Sequence, residues 1–239
     1  MPRTAEIIAV GSELLTGGVT NTNARFLSEL LTAAGVDVLY PTAVGDDEGR
    51  LEAAVTAARQ RAELLVCTGG LGPTYDDMTK TAVCAALDTP LVFHPDIVPD
   101  IRRYFDTVFH REIPACNLQQ AYLPQGCTVF RNPVGTAPGC AFTAGGVTAV
   151  LLPGVPSECR YLAEHCLLPY LERLHGQVIR SHDLRIFGLT EPQVQELLND
   201  LLHQEKDLTL APYAGTGEVS LHLSARAADD AACEARMAP

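Results

Sequence analysis

The stretch Leu64–Ala86, LLVCTGGLGPTYDDMTKTAVCAA, constrains this chain more than any other. Leu64, Leu65 and Val66 form an apolar run of strand length, and Gly69, Gly70 and Gly72 follow at once. Asp76, Asp77, Thr79 and Lys80 come next, leading into a helical stretch. A glycine turn between strand and helix lets backbone N–H groups approach a phosphate, and the helix start adds partial positive charge. Two aspartates beside such a turn are suited to hold a divalent metal on the same phosphate. The spacing is not that of a P-loop, and the acids follow the glycines too closely for a dinucleotide-binding fingerprint. The segment therefore points to a site for a nucleotide or another phosphate ester.

The residues before it repeat the same alternation. Ala5–Val10 reads as a strand ended by Gly11, followed by a loop over SELLTGG. Asn21 and Asn23 are candidate N-caps for a helix reaching Ala34, with Phe26, Leu27, Leu30 and Leu31 at helical spacing. A second strand is expected at Val36–Tyr40, a turn at Gly45–Asp47 and a helix over Glu48–Arg61. Strands alternating with amphipathic helices imply an α/β fold, with a mostly parallel sheet covered on both faces. Ligands in such sheets sit beyond the strand C-termini, so Gly11, Asp46 and Gly69–Gly70 should converge on one edge.

Further on, Leu91–Ala121 reads as a short strand, a helix near Ile97–Phe109 and a polar helical return. Val129–Val150 is β-rich and holds NPVGTAPG (132–139). A strand at Ala149–Leu152 runs into PGVPSE (153–158) and a helix to about Leu168, a second strand–turn–helix unit. His175–Gly176 marks a boundary. After it, strands at Asp183–Gly188, Leu208–Ala211 and Glu218–Ser224, a turn at Gly215–Gly217, and helices at Thr190–Leu202 and from Ala227 make a small α+β appendage. The expected domains are 1–174 and 177–239, the second cut short as in a piece of a longer protein.

With 239 residues, 47% of them hydrophobic, the chain can bury a sizeable core. A formal charge of −12 argues against nucleic-acid binding. The eight cysteines form no CxxC pair, so buried reduced thiols are expected rather than zinc or disulfides. The seven histidines are scattered, and no Ser/His/Asp arrangement is visible. No signal-peptide core or membrane-spanning apolar run occurs, and a cytoplasmic protein without membrane partners is expected.

Collinear segments carry a family resemblance: AEIIAVGSELLTG (5–17), NTNARFL (21–27), VGDD (44–47), TGGLGPTYDDMT (68–79), NPVGTAPG (132–139), LLPGVPSE (151–158) and APYAGTGEV (211–219). Together they resemble the CinA family (competence/damage-inducible protein A), whose N-terminal domain has the molybdopterin-binding, MogA-like fold. The resemblance implies a three-layer α/β/α domain with a KH-like appendage, forming a homodimer. It implies metal-dependent hydrolysis of the pyrophosphate of ADP-ribose or a related nucleotide, with a divalent ion such as Mg, Mn, Co or Ni. The C-terminal nicotinamide mononucleotide deamidase domain of many members has no counterpart in these residues. A molybdopterin- or nucleotide-binding module without turnover, and a dimerising scaffold, are the alternatives.

On this reading Asp77, Asp76 and Glu158 are the catalytic and metal-holding acids, Asp77 foremost because it matches the shared acid of the wider fold. Substrate would meet Gly11, Glu13, Asn21, Asn23, Asp46, Gly69, Gly70, Gly72, Thr74, Lys80, Asn132, Gly135, Thr136, Gly139 and Gly154. Each has a plain structural reading beside it. The aspartates, Asn23 and Thr74 can serve as caps, Glu158 as a favourable first-turn acid, and the glycines as turn formers. A lone lysine in a first helical turn, such as Lys80, is ordinarily solvated.

Overall fold

The computed structural model describes residues 4–175, 178–202, 208–215 and 217–238. It divides into two units, one comprising the chain up to Ser28 with 37–169, the other Glu29–Val36 with the chain from Tyr170 onward. The expected boundary at Gly176 lies outside the described residues, as does Thr216 of the Gly215–Gly217 turn.

The first unit is built on a six-stranded sheet of order β2-β1-β3-β8-β7-β6. Strands β1 (Thr4–Val10), β2 (Asp37–Val44), β3 (Leu64–Thr68) and β8 (Val147–Leu152) are parallel neighbours; β7 (Gly139–Ala144) and β6 (Thr128–Phe130) add an antiparallel edge. The central strand β3 is buried at every residue, which explains its unbroken apolar run. At the sheet edge, β2 is mostly exposed and continues past Tyr40 through Pro41, a residue an edge strand tolerates because its missing N–H leaves few ladder bonds unmade.

Between these strands lie α1 (Ser12–Leu15), α2 (Thr22–Ala33), α3 (Glu48–Ala58), α4 (Thr79–Ala86) and, after β8, α6 (Pro156–Leu162). On one face, Ile8, Val10, Leu65, Cys67 and Leu151 pack with Leu51, Val55, Ala82 and Val83 of α3 and α4. Ile97 and Ile101 at α5 (Val98–Tyr104) join the same core. On the other face α6 packs on β8. This is the mostly parallel three-layer arrangement.

Several boundaries differ from the sequence reading. The segment after Gly11 opens with the helical turn α1 rather than a plain loop. The polar return before β5 (Tyr122–Pro124) is a 3-10 helix, Ala115–Ala121, and β5 pairs with β4 (Leu91–Phe93) in a separate two-stranded sheet. Strand β8 starts before Ala149 because Gly145 and Gly146, at φ 58° and 84°, close a tight hairpin with β7. The helix through Leu162 continues by a π turn, Ala163–Leu167, into α7 (Leu168–His175), and Pro169 falls directly after that π turn.

The second unit is an antiparallel sheet of order β10-β11-β9, formed by β9 (Val178–Phe187), β10 (Leu208–Ala214) and β11 (Glu218–Ala227). Helices α8 (Glu191–Leu202) and α9 (Asp230–Met237) pack on it. Val219, Leu221, Leu223, Ala225 and Ala227 alternate into its core, the period-two signature of a half-buried strand. Asp229, rather than Ala227, sets the start of α9 by accepting from the Ala232 N–H at 2.8 Å. Among the described residues no helix is long and apolar enough to cross a membrane.

Candidate functional site

The C-terminal ends of β1, β2, β3 and β8 lie side by side because the four strands are parallel and in register. A cleft of about 400 Å³ opens at that edge. Four loops line it. Gly11, Glu13, Asn21 and Asn23 follow β1, and Asp46 follows β2; Gly69, Gly70, Thr74, Asp76 and Asp77 follow β3, and Gly154 follows β8.

The glycine turn is held from below. Gly69 donates its N–H to Leu152 O at 3.0 Å. The buried Thr79 donates its N–H to Gly70 O at 3.1 Å and its hydroxyl to Gly69 O at 2.7 Å. Thr79 was not among the expected binding residues; its signal was the threonine two places after Asp77. Gly70 lines the cleft, and its N–H has no partner among the described residues.

The two aspartates do different work. Asp77 Oδ2 accepts from the Thr74 N–H at 2.8 Å and from the Thr74 hydroxyl, and a Cβ on Gly72 would come within 2.5 Å of that oxygen. Asp77 and Gly72 therefore shape the loop. Asp76 Oδ1 is buried with no hydrogen-bond partner among the described residues. Burial of a carboxylate oxygen without a donor is costly, so its partner is to be sought outside the protein.

The remaining walls are braced across the chain. Asp46 Oδ2 accepts from Ser12 N–H at 2.8 Å, and the Ser12 hydroxyl accepts from Asp46 N–H at 3.1 Å. Asn21 is the helix cap, accepting from Ala24 N–H at 3.0 Å. Asn23 is instead a strut: its Nδ2 donates to Thr68 Oγ1 at 3.0 Å and to Gly154 O at 2.8 Å. Sequence reasoning missed Val19, Thr20 and Thr22, which also line the cleft. Nothing in their spacing marked them, since Val19 and Thr20 come from an irregular loop and Thr22 opens α2.

Seven expected residues do not line this cleft: Gly72, Lys80, Asn132, Gly135, Thr136, Gly139 and Glu158. Glu158 accepts from Asn132 Nδ2 at 2.6 Å and lies over Gly135, where an added Cβ would push its carboxylate aside. Burial raises the Glu158 pKa, and the Asn132 hydrogen bond works against that rise. Asn132 also donates to Ala137 O at 2.9 Å, Thr136 Oγ1 accepts from Gln120, and a Cβ on Gly139 would meet Leu151 O at 2.9 Å. The Asn132–Gly139 turn is thus occupied with its own folding.

Lys80 is buried rather than solvated, donating to Gln119 O at 2.7 Å. Burial brings its pKa down to about 8, while Cys140, Asp77 and Cys84 pull the other way.

Among the described residues no group of three His, Cys, Asp or Glu side chains is placed to hold an ion, so Glu158 does not complete a site with Asp76 and Asp77. The aspartates alone still suit a hard cation, because magnesium-type ions are commonly held by one or two carboxylates with water and substrate phosphate as the other ligands. The unpartnered Asp76 oxygen is the observation that fits such an ion.

A mostly parallel sheet with a glycine-walled, acid-flanked cleft at its strand ends defines an α/β/α domain with a site-sized cleft. The family described as "Probable molybdopterin binding domain" matches residues 6–173, and "Damage-inducible protein CinA KH domain" matches 181–239. The chain belongs to the molybdopterin-binding domain family and, within it, to the CinA group. A protein of Acetivibrio thermocellus named as competence-damage inducible is 43% identical over 223 residues, covering 93% of this chain and 54% of the relative. One of the same name from Streptococcus uberis is 46% identical over 223 residues, covering 93% and 52%. The chain thus spans about half the length of the curated relatives it matches. The crystal structure of the protein CinA from Thermoplasma acidophilum is similar at a TM-score of 0.62 and 35% identity, covering 68% of this chain and 94% of that one.

Proposed function

We propose that the first unit hydrolyses the pyrophosphate bond of ADP-ribose or a related nucleotide diphosphate, giving AMP and ribose 5-phosphate with the help of a divalent metal. The observation that carries this reading is Asp76, a half-buried residue whose buried Oδ1 has no partner among the described residues, beside a glycine turn in a cleft large enough for a nucleotide. Asp76 and Asp77 would hold the ion, which when bound polarises phosphoryl oxygens and acidifies water. Thr74 and Gly72 fix Asp77, Thr79 fixes the turn, and Gly70 offers its N–H to phosphate oxygen. The amides of Gly69 and Thr74 are already engaged, so the phosphate-binding amides are fewer than the whole Gly69–Thr74 segment.

The test is a screen of the purified chain with ADP-ribose against Mg, Mn, Co and Ni, with products identified. Appearance of AMP and ribose 5-phosphate only with metal is the expected result. The second reading, a binding module for molybdopterin or a nucleotide, is favoured by the family description itself; ligand bound without metal and recovered unchanged would support it instead. Sedimentation of the same sample tests the proposed homodimer.

Glu158 gives a separate check. Glu158→Gln is expected to keep most of the hydrolytic rate, because residue 158 does not line the cleft. Its effect on stability has a definite sign. A carboxyl whose folded pKa is raised disfavours its charged form, so it costs stability as pH rises above the ordinary carboxylate value. The variant should match the parent's melting temperature in acid and exceed it at neutral pH, as thermal scans at both pH values would read.

A further inference from the structure

Phosphate sites commonly carry Arg or Lys, and this cleft does not. Among the described residues lining it there is no Lys, Arg or His, while Glu13 and Asp46 add two carboxylates to the Asp76–Asp77 pair. The proposed metal employs the pair and leaves the other two without a part. Asp46 follows β2 and Glu13 follows β1, whereas the pair follows β3, and the strand order is β2-β1-β3. Neighbouring strands lie about 5 Å apart, so about 10 Å separates the β2 end of the cleft from the β3 end. A ligand whose phosphates sit at β3 therefore brings a different group to Glu13. That carboxylate folds back over the end of β1: a Cβ added to Gly11 would meet its Oε1 at 2.5 Å and its Oε2 at 2.7 Å. Asp46 already accepts from the Ser12 N–H at 2.8 Å, but no described residue donates to the Glu13 carboxylate. Leu14 and Val19, from the same loop as Glu13, give that part of the cleft an apolar wall suited to a planar base.

We propose that Glu13 selects the ligand by its ribose, accepting a hydrogen bond from a free 2′-hydroxyl of the nucleoside and rejecting a 2′-phosphate. The inference rests on the reading of the cleft as a nucleotide site and names the class of nucleotide it takes. An ionised carboxylate is acceptor-only, so sugar hydroxyls satisfy it and phosphate oxygens cannot. Acids read a ribose diol in this way in other strand-end clefts, whereas a 2′-phosphate calls for an Arg. Asp46 lends a second negative charge to the same end, and its bond to Ser12 fixes its place. With no cationic side chain among the described lining residues, an added phosphate there meets like charge and nothing to offset it.

The experiment titrates the full chain with AMP, 2′-deoxy-AMP and adenosine 2′,5′-bisphosphate in the presence of magnesium, read by calorimetry. None of the three has a pyrophosphate bond, so no turnover is needed. AMP should bind tightest, with the deoxy compound about tenfold weaker for its lost hydrogen bond to a charged group. The bisphosphate should be weaker by about a hundredfold or more, the cost of placing like charges together. Glu13→Gln, at an exposed position where the melting temperature should hold, is expected to bring the bisphosphate to within about tenfold of AMP. A parent chain that binds AMP and the bisphosphate equally, or a Glu13→Gln variant that keeps the full gap, overturns the proposal. So does a chain that binds none of the three, whatever it does to ADP-ribose. Hydrolysis of ADP-ribose without the ribose preference would sink this inference alone. The preference with ADP-ribose recovered unchanged would uphold it and sink the hydrolysis instead.

Discussion

Asp76→Asn is expected to lower kcat/KM for ADP-ribose hydrolysis by about a hundredfold or more, about 3 kcal/mol of transition-state stabilisation, without lowering the melting temperature. The argument rests on what each oxygen of the pair touches. Asp76 Oδ1 is buried and unpartnered, so the folded protein gains nothing from its charge; an amide there removes a cost and leaves no internal donor stranded. Asp77→Asn should behave differently. Its Oδ2 satisfies the N–H and hydroxyl of Thr74, so an amide disturbs the loop, and rate and stability should fall together. Parallel kinetics and thermal melts of the two variants read this split. An Asp76→Asn protein hydrolysing at the parent rate would remove Asp76 from the chemistry and favour a binding module.

Much of this was legible in the sequence because local rules and global fold agree. The buried run at Leu64–Val66, the glycines after it and the alternation of strand and helix each had one consistent reading, and the sheet placed Gly11, Asp46 and Gly69–Gly70 on one edge as that alternation requires. What failed depended on long-range partners. Asn21 and Asn23 are equivalent as sequence, yet one caps a helix and the other spans to Gly154, across the sheet edge. Lys80 reads as a surface lysine until the Ala115–Ala121 helix brings the Gln119 carbonyl onto it. Glu158 follows a strand-end loop that does reach the cleft, through Gly154, but the first turn of α6 turns its carboxylate onto Asn132 and Gly135 instead. The identity of the ligand stays outside such reasoning: glycines and aspartates suit any metal-held phosphate, and only the collinear motifs narrowed the expectation to a nucleotide diphosphate.

Gly69→Ala is expected to cost about 3–5 kcal/mol of stability, combining strain at a forbidden backbone angle with overpacking. Gly69 sits at φ 104°, a conformation that side-chain-bearing residues rarely adopt. An added Cβ would land on the carbonyl oxygen of Val10, a backbone atom of β1 that cannot rotate away. Relief from the far side is blocked as well, because a Cβ built on Gly154 already reaches 3.1 Å from the Gly69 Cα. The turn is therefore wedged between two strand ends, and the same closeness forms the floor of the cleft. Gly146→Ala is the control: its φ is 84°, but nothing lies within 4 Å of the added carbon, so only the backbone strain of about 1 kcal/mol applies. In urea, the midpoint of the Gly69 variant should fall well below that of the Gly146 variant at unchanged slope, and its melting temperature should drop by about 10 °C or more. Equal losses in the two variants would mean that the turn does not press on β1, and the cleft would lose its rigid floor with it.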